Sequence, residues 1–500
     1  MTTYLIVPTL TAPEEEPASL GMQNIGAVGD VASPELAAPP PEIELEGFVG
    51  SAEASQGTST GYSMGSGGSA GAAGPLGTSS GTAVGHAEIL HSASVGRRER
   101  LGQRTVQLTT IANLLHYGGV AGMAGAADDT DQLDAMSDDT AIGFAELALP
   151  DNMKLLPGVG AIVVTDADDS LKSRVGDMEG VRIFENIEIR LPSPVSTVQN
   201  SDHNAGDTLS DRWHLDKIGL EEGHSGGAGI LIGILDTGID AAHPEFAGKT
   251  VHFMEFDRNG NAISHVARDA GDHGTHVSSI AAGRDYGVAP DAELAVAAVL
   301  TNWSPKGMFG YLVQISSGLD WLISQEFRDG ETGVDIVNAS LGGKGFNTYL
   351  SSAVQGGLEA GIPLVAAIGN SGRDGVGNHG SPGNYSDTLG VGASDHSDTV
   401  AEFSDWADGG PPAGPRYPVP DLSAPGVAVN AAVPGGRYER MNGTSMAAPV
   451  VTGVAARRMS ENPSLHRNPA ALFQSLLSGL APVQRRGANG NKGGRGRIKA

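Results

Sequence analysis

The stretch "GILIGILDTGID" (Gly229–Asp240) decides how the rest of the chain is read. An apolar run stops abruptly at Asp-Thr-Gly, and that signature has three readings. Asp236 is half of a carboxylate dyad that shares one proton, or it is the buried acid that orients a histidine beside a nucleophilic serine. The third reading is a strand followed by a glycine turn, with no chemistry attached. A dyad within one chain needs a second Asp-Thr/Ser-Gly behind a second apolar run, and the sequence contains none. A dyad shared by two copies escapes that objection, but it belongs to small all-β proteins.

The surroundings of Asp236 are not all-β. From Trp213 onward short Val/Ile/Leu/Ala runs recur: "ILIGILD", "ELAVAAVL", "DIVNASLGG", "IPLVAAIGN" and "TLGVGAS". Near-continuous apolar strands of this kind are buried on both faces, as in a parallel sheet. The segments between them, such as "HGTHVSSIAAG" and "YLVQISSGLDWLISQEF", carry helical apolar spacing. Strand–helix alternation predicts an α/β domain over residues 211–480, a doubly wound and mostly parallel sheet flanked by helices. Functional groups in such sheets collect at the carboxyl ends of the strands. Asp236, the Ser-Leu-Gly-Gly after Ala339 and the Gly-Asn after Ile368 all stand in such places.

Upstream the texture differs. Residues 1 to 96 contain no Lys or Arg and are rich in Gly, Ser, Ala, Pro and Glu. Such a composition offers little apolar surface to offset ordering entropy, so residues 1–140 read as a mostly disordered arm. Within it "RRER" (Arg97–Arg100) reads as a solvated charge run, and "LTTIANLLHY" (Leu108–Tyr117) as a short helix. Residues 141–195 read as a β-α-β piece: a buried strand at "GAIVVT" (Gly160–Thr165), a helix started by the acids of "DADDSLKSRVGDM" (Asp166–Met178), and an alternating, half-buried strand at "VRIFENIEIRL" (Val181–Leu191). Residues 196–210 form a polar linker. The basic, Gly-rich residues 481–500 read as a frayed tail.

Composition excludes several functions. With no cysteine there is no disulfide, thiol catalysis or Cys-ligated zinc. A formal charge of −27 argues against nucleic acid or an anionic membrane surface as partner. No stretch is long and apolar enough to span a bilayer. The N-terminus has no basic residue, and its apolar run Tyr4–Val7 is too short for a signal-peptide core, so a cytoplasmic chain is expected, with export by another route left open.

The serine-protease reading of Asp236 needs a histidine and an activated serine. "DHGTHVSSIAAG" (Asp272–Gly283) places His273 at a turn entering a helix of small residues, and "MNGTSMAAPVVTGVAA" (Met441–Ala456) places Ser445 at the start of another. Free backbone N–H groups and the positive end of the helix suit a nucleophile whose intermediate develops an oxyanion. "DTGID", "HGTH" and "GTSMAAPV", in the order Asp, His, Ser, resemble the three signature motifs of the subtilases, the subtilisin-like serine peptidases. The resemblance covers roughly residues 211–480. It implies a serine endopeptidase acting on polypeptides through a triad in which Asp236 orients His273, His273 is the general base, and Ser445 attacks the scissile carbonyl. Asn370, in "VAAIGNSG" (Val365–Gly372), would donate its amide to the oxyanion. "NASLGG" (Asn338–Gly343) resembles the edge that receives an extended substrate, with Ser340, Leu341 and Gly342 as substrate-binding residues. Gly380 would line the primary pocket, and Leu312 and Ile315 would form a second apolar pocket with Leu341.

The resemblance also implies that 141–195 is the latter part of a propeptide that blocks the cleft until cut away, making the chain a zymogen with its own prosegment as inhibitor; the first half of that propeptide is not recognisable. The competing class is a non-catalytic peptide-binding scaffold on the same fold. His273 and His276 are three apart with no intervening Glu, which does not fit a zinc pair, so no metal ligand is expected. His276 reads as a packed helix residue and His243 as a turn residue. The short "GRDYGVAP" (Gly283–Pro290), with Glu245 where an Asp ligand is common, departs from subtilisins that wrap a tight calcium there. No cofactor is expected to be required, with weaker calcium sites left open. Ser278 and Ser279 replace the usual Ala-Gly and are expected to bond back to the preceding turn.

Overall fold

The computed structural model describes residues 3–8, 81–117 (81–95 by backbone alone), 149–176, 178, 180–191, 209–375, 377–484 and 492–500. The linker expected at 196–210 lies outside them except for its last two residues, as does most of the arm.

The first unit is a four-stranded antiparallel sheet of β1 (Tyr4–Pro8), β2 (Met153–Leu156), β3 (Ala161–Val164) and β4 (Val181–Glu185), in the order β2-β3-β1-β4. Side chains alternate across it. Ile6, Ile162 and Val164 face helices α1 (Gly81–Tyr117) and α2 (Asp169–Gly176), where they meet Leu108, Ile111, Leu115, Leu171 and Val175. Leu5, Ala161 and Val163 face the other way and join a core of the larger unit that begins at residue 209.

Three expectations for this region are corrected. Tyr4–Pro8 is not part of a disordered arm; it is an interior strand, paired on both sides. Its partners lie far along the chain, so no local pattern announces it. "RRER" is not a wholly solvated run. Arg97 is buried, with Nε and Nη1 unpartnered, beside Arg467, Asp335 and Glu331, while Arg98 pairs with Glu326 at 2.6 Å. Thus α1 grips the far side of the larger unit as well as the small sheet. Finally, Val181–Leu191 is not one strand. It breaks at Asn186, whose Oδ1 accepts from Val313 N at 2.9 Å, and continues as β5 (Glu188–Arg190) on a different sheet. The helix starting at the acidic run does form, with Asp168 Oδ1 accepting from Leu171 N at 2.7 Å.

The second unit carries an eight-stranded sheet. Its strands are β6 (Leu231–Asp236), β7 (Val251–Phe256), β8 (Ala262–Ser264), β9 (Glu293–Ala298), β12 (Ile336–Ala339), β13 (Leu364–Ala367), β14 (Leu389–Ser394) and β15 (Leu422–Pro425). The order is β15-β14-β13-β12-β6-β9-β7-β8, all parallel except β8. The hairpin β10 (Asn302–Ser304) and β11 (Gly307–Tyr311) projects from the carboxyl end of β9. Every residue of β6 is buried because apolar layers cover both faces. One layer contains α3 (His273–Ala282) and α6 (Thr444–Glu461); the other contains α4 (Leu312–Ser324), α5 (Ser351–Glu359) and the small sheet. This is the expected α/β, mostly parallel subtilisin-like architecture.

The C-terminal residues also depart from expectation. Residues 492–500 are packed rather than frayed: Ile498 is fully buried, its N–H donates to Ser423 O at 3.0 Å, and Arg497 pairs with Asp398 at 2.5 Å. They cover the edge strand β15, whose unpaired groups would otherwise face solvent. A glycine-rich composition does not reveal that an edge is waiting for it.

Candidate active site

Asp236 ends β6, fully buried, and His273 opens α3. Imidazole Nδ1 lies 2.8 Å from Asp236 Oδ1 and 3.0 Å from Oδ2. The two sequence motifs interlock through their other residues. Thr237 Oγ1 accepts from Gly274 N at 2.8 Å and donates to Asp269 Oδ1 at 2.6 Å. Asp269 Oδ2 accepts from Thr275 N at 2.8 Å and Thr275 Oγ1 at 2.6 Å, and Asp240 N donates back to Thr275 Oγ1 at 2.9 Å. A Cβ on Gly274 would collide with the Gly238 carbonyl, so glycine is what allows the helix start to approach the β6 turn. Asp269, Thr237 and Thr275 were not singled out from sequence. The threonines inside the two motifs were the available signal.

Burial disfavours a charged His273, but the Asp236 carboxylate and its hydrogen bond outweigh that, with help from Asp272 and Asp269; the imidazole titrates above its ordinary range. His276, one turn on, has no acid against it. Burial pushes it down to about 3, and its Nε2 contacts Glu439 O at 3.0 Å, so it is a neutral packed residue.

Ser445 sits in the first turn of α6, nearly buried. Its Oγ donates to Ser340 O at 3.3 Å, and Ser340 Oγ donates to Ser445 O at 2.9 Å. The second bond has a covalent cause. Pro449 has no N–H for the carbonyl four residues back, which is that of Ser445, and Ser340 satisfies it instead. Asn338 Nδ2 donates to Ser340 Oγ at 3.0 Å, and Thr452 Oγ1 donates to Asn338 Oδ1 at 3.1 Å. The serine helix is thereby tied to β12.

Asn370 follows β13. Its Oδ1 accepts from Thr444 N and Thr444 Oγ1, both at 2.9 Å. That turns Nδ2 toward Gly443, where an added Cβ would lie 3.4 Å from Nδ2 and 3.5 Å from Ser445 N. Two N–H donors therefore border one small space in front of α6. Thr444, which orients the amide, was also missed from sequence, although it is the Thr of "GTSM".

The edge expected to receive substrate is occupied by the chain itself. Strand β5 lies antiparallel to β11, with Ile189 opposite Gly310, and Gly342 N donates to Arg190 O at 3.2 Å. Leu191 N donates to Met308 O at 3.3 Å. Ile189, 1% exposed, sits in the same apolar cluster as Leu312, Ile315 and Leu341, the residues expected to form a second pocket. Gly380 lies across from Lys344, next to the Gly343–Ser381 pair, and its N–H donates to Ile368 O at 2.8 Å.

Around the turn expected to lack calcium, buried Glu245 accepts from Asp285 N at 3.0 Å, Tyr286 N at 3.1 Å and Tyr438 OH at 3.1 Å. These bonds engage both carboxylate oxygens within the protein. His243 caps that turn, its Nδ1 accepting from Glu245 N at 3.2 Å. The two serines of α3 do not bond back as expected. Ser279 Oγ accepts from Ala432 N at 3.2 Å, and Ser278 Oγ has no partner among the described residues.

Residues 227–489 match the model of the subtilase family. The subtilisin-like protease PopC of Myxococcus xanthus is 34% identical over 351 residues, covering 64% of this chain and 71% of that protein. Subtilisin DY of Bacillus licheniformis is 37% identical over 261 residues, covering 51% of this chain and 84% of that protein. Among solved structures, fervidolysin from Fervidobacterium pennivorans, described as a keratinolytic enzyme related to subtilisin, superposes with a TM-score of 0.52 at 22% identity, covering 70% of this chain and 56% of that one; it speaks for the fold alone. With a shared fold, a family match over more than half its length and subtilisin-like proteases as relatives, this chain belongs to the subtilase family and is a serine endopeptidase.

Proposed function

We propose that peptide hydrolysis runs through Asp236, His273 and Ser445, with Asn370 and the Ser445 N–H as oxyanion donors. The observation that carries this reading is the Asp236–His273 pair, 2.8 Å at Nδ1, which leaves Nε2 as the base for the serine. His273 takes the Ser445 proton as Oγ adds to the scissile carbonyl, and the developing imidazolium is stabilised by the buried carboxylate. The oxyanion enters the space bordered by Asn370 Nδ2 and Ser445 N. Collapse of the tetrahedral intermediate passes the proton from His273 to the leaving amine and leaves an acyl-enzyme, which water cleaves by the same path reversed. Because the imidazole titrates above its ordinary range, turnover rises with pH through that raised value.

The same reading makes the chain a zymogen. Residues up to Leu191 are the prosegment, and β5 occupies the edge on which an extended polypeptide substrate would add as a strand. Tyr4–Pro8 supplies the part of that prosegment that sequence left unrecognised. Nothing in the chemistry calls for a cofactor, and the Glu245 turn holds together through its own donors in place of a calcium ion. A peptide-binding scaffold would need neither the oriented imidazole nor the paired N–H donors. The test compares wild type with Ser445→Ala for fluorophosphonate labelling and for new N-termini after residue 191. Labelling and cutting in wild type alone are expected. A folded wild type that is trimmed yet stays unlabelled would refute the triad, and full-length chains in both samples would refute self-processing.

A further inference from the structure

Behind the Asn370 turn lies an acid that the mechanism above does not use. Asp405 is 4% exposed. Its backbone N–H donates to Gly369 O at 3.0 Å, and its neighbour Phe403 accepts from Gly372 N at 2.8 Å, so the two segments are laced together. Gly369 has φ +119, and a Cβ there would strike Asp405 Oδ2; the carboxyl is packed directly against the turn. The Ser371 N–H donates to the carboxyl, and Oδ1 has no partner at all. On the opposite side the turn is held by Thr444, whose Oγ1 accepts from Gly369 N at 3.2 Å and donates to Asn370.

We propose that Asp405 is a positioning residue for the oxyanion site: in its neutral, protonated form its carboxyl backs the 369–371 turn and lets the turn present the Asn370 amide to the oxyanion. This inference rests on the reading of Asn370 as a donor. Its physical basis is the shortage of partners. One backbone N–H and an orphaned oxygen leave a buried carboxylate poorly solvated, which disfavours the charged form. Burial opposes ionisation, Lys344 and Lys492 favour it, and Asp374 opposes it; the group titrates at about 7. Arg373 and Glu402, adjacent on the same two segments, form a surface pair at 3.8 Å. Once ionised, Asp405 places a negative charge behind the turn that must stabilise a developing negative charge, and it draws the turn's N–H groups toward itself. Catalysis then requires two neutral groups, His273 and Asp405, and Asp405 supplies an alkaline limb that the triad lacks.

The experiment measures kcat and KM on an amide substrate between about pH 6 and about pH 9, on full-length chains allowed to process, with active serines counted by fluorophosphonate. Wild-type kcat is expected to fall by about tenfold above neutral pH at unchanged KM, less than the 10²–10³-fold known for deleting the oxyanion donor in subtilisin. Asp405→Asn keeps the neutral shape and is expected to abolish that limb. Asn370→Ala should lower kcat at every pH. A wild-type kcat that stays flat to pH 9 overturns the proposal whether or not any variant folds. An unchanged limb in Asp405→Asn, with kcat still lost in Asn370→Ala, overturns it alone; full kcat in Asn370→Ala overturns the donor reading as well.

Discussion

Ile189 is the point at which the proposed prosegment can be loosened most cleanly. Its side chain is 1% exposed and buried in the apolar cluster that also holds Leu312, Ile315 and Leu341, while the backbone on either side is held by Gly310, Gly342 and Met308. Truncation to Ala removes the carbons beyond Cβ, at about 0.8 kcal/mol per buried methylene plus a cavity cost, or about 2–4 kcal/mol. At about 1.4 kcal/mol per tenfold, the equilibrium between a seated and a lifted β5 shifts by roughly 30- to 700-fold. The small sheet keeps its own anchors, Leu5, Leu156 and Val163 in the same core, so the loss falls on β5 rather than on the whole prosegment. The assay is the rate of fluorophosphonate labelling of the uncut chain, separated by size from processed forms, since that rate follows the fraction with an open cleft. Ile189→Val should give a small increase and Ile189→Ala a large one. Ile187→Ala is the control, because that side chain is 42% exposed and its backbone carbonyl, which accepts from Leu312 N at 2.9 Å, survives the substitution. A folded Ile189→Ala chain that labels at the wild-type rate would show that β5 does not block the cleft.

Prosegment docking should also depend on pH through Asp320. This acid accepts from Gly158 N at 2.6 Å and Val159 N at 3.3 Å, and burial beneath the prosegment pushes it up to about 7. The docked state therefore holds a proton that the undocked state, with an ordinary carboxyl, releases. That contribution is full below about pH 4 and is lost as pH rises through 7. The ratio of uncut-chain labelling between wild type and Asp320→Asn should rise across that window; a constant ratio would remove Asp320 from the account. Gly274→Ala, which forces a methyl against the Gly238 carbonyl, should move His273 off Asp236 and lower kcat by about a hundredfold with the fold retained. Wild-type kcat in that variant would show that the interlock of the two motifs does not set the imidazole.

The sequence by itself determined the sheet and singled out the groups proposed to react. Continuous apolar runs such as Leu231–Asp236 require burial on both faces, and the proposed triad residues stand at the end of one such run (Asp236) and at two helix starts (His273, Ser445), so both are marked locally. Tertiary structure alone decided who holds those groups in place. Asp269, Thr444 and Asp405 hold residues 6 to 75 positions away in the chain, across contacts that no spacing rule encodes. The same holds for Tyr4–Pro8, Arg97 and Ile498, three short signals in polar or glycine-rich surroundings. Each is ordered because a partner elsewhere offers an unpaired strand, a group of acids or an apolar hollow, and the free energy of that contact belongs to neither segment alone.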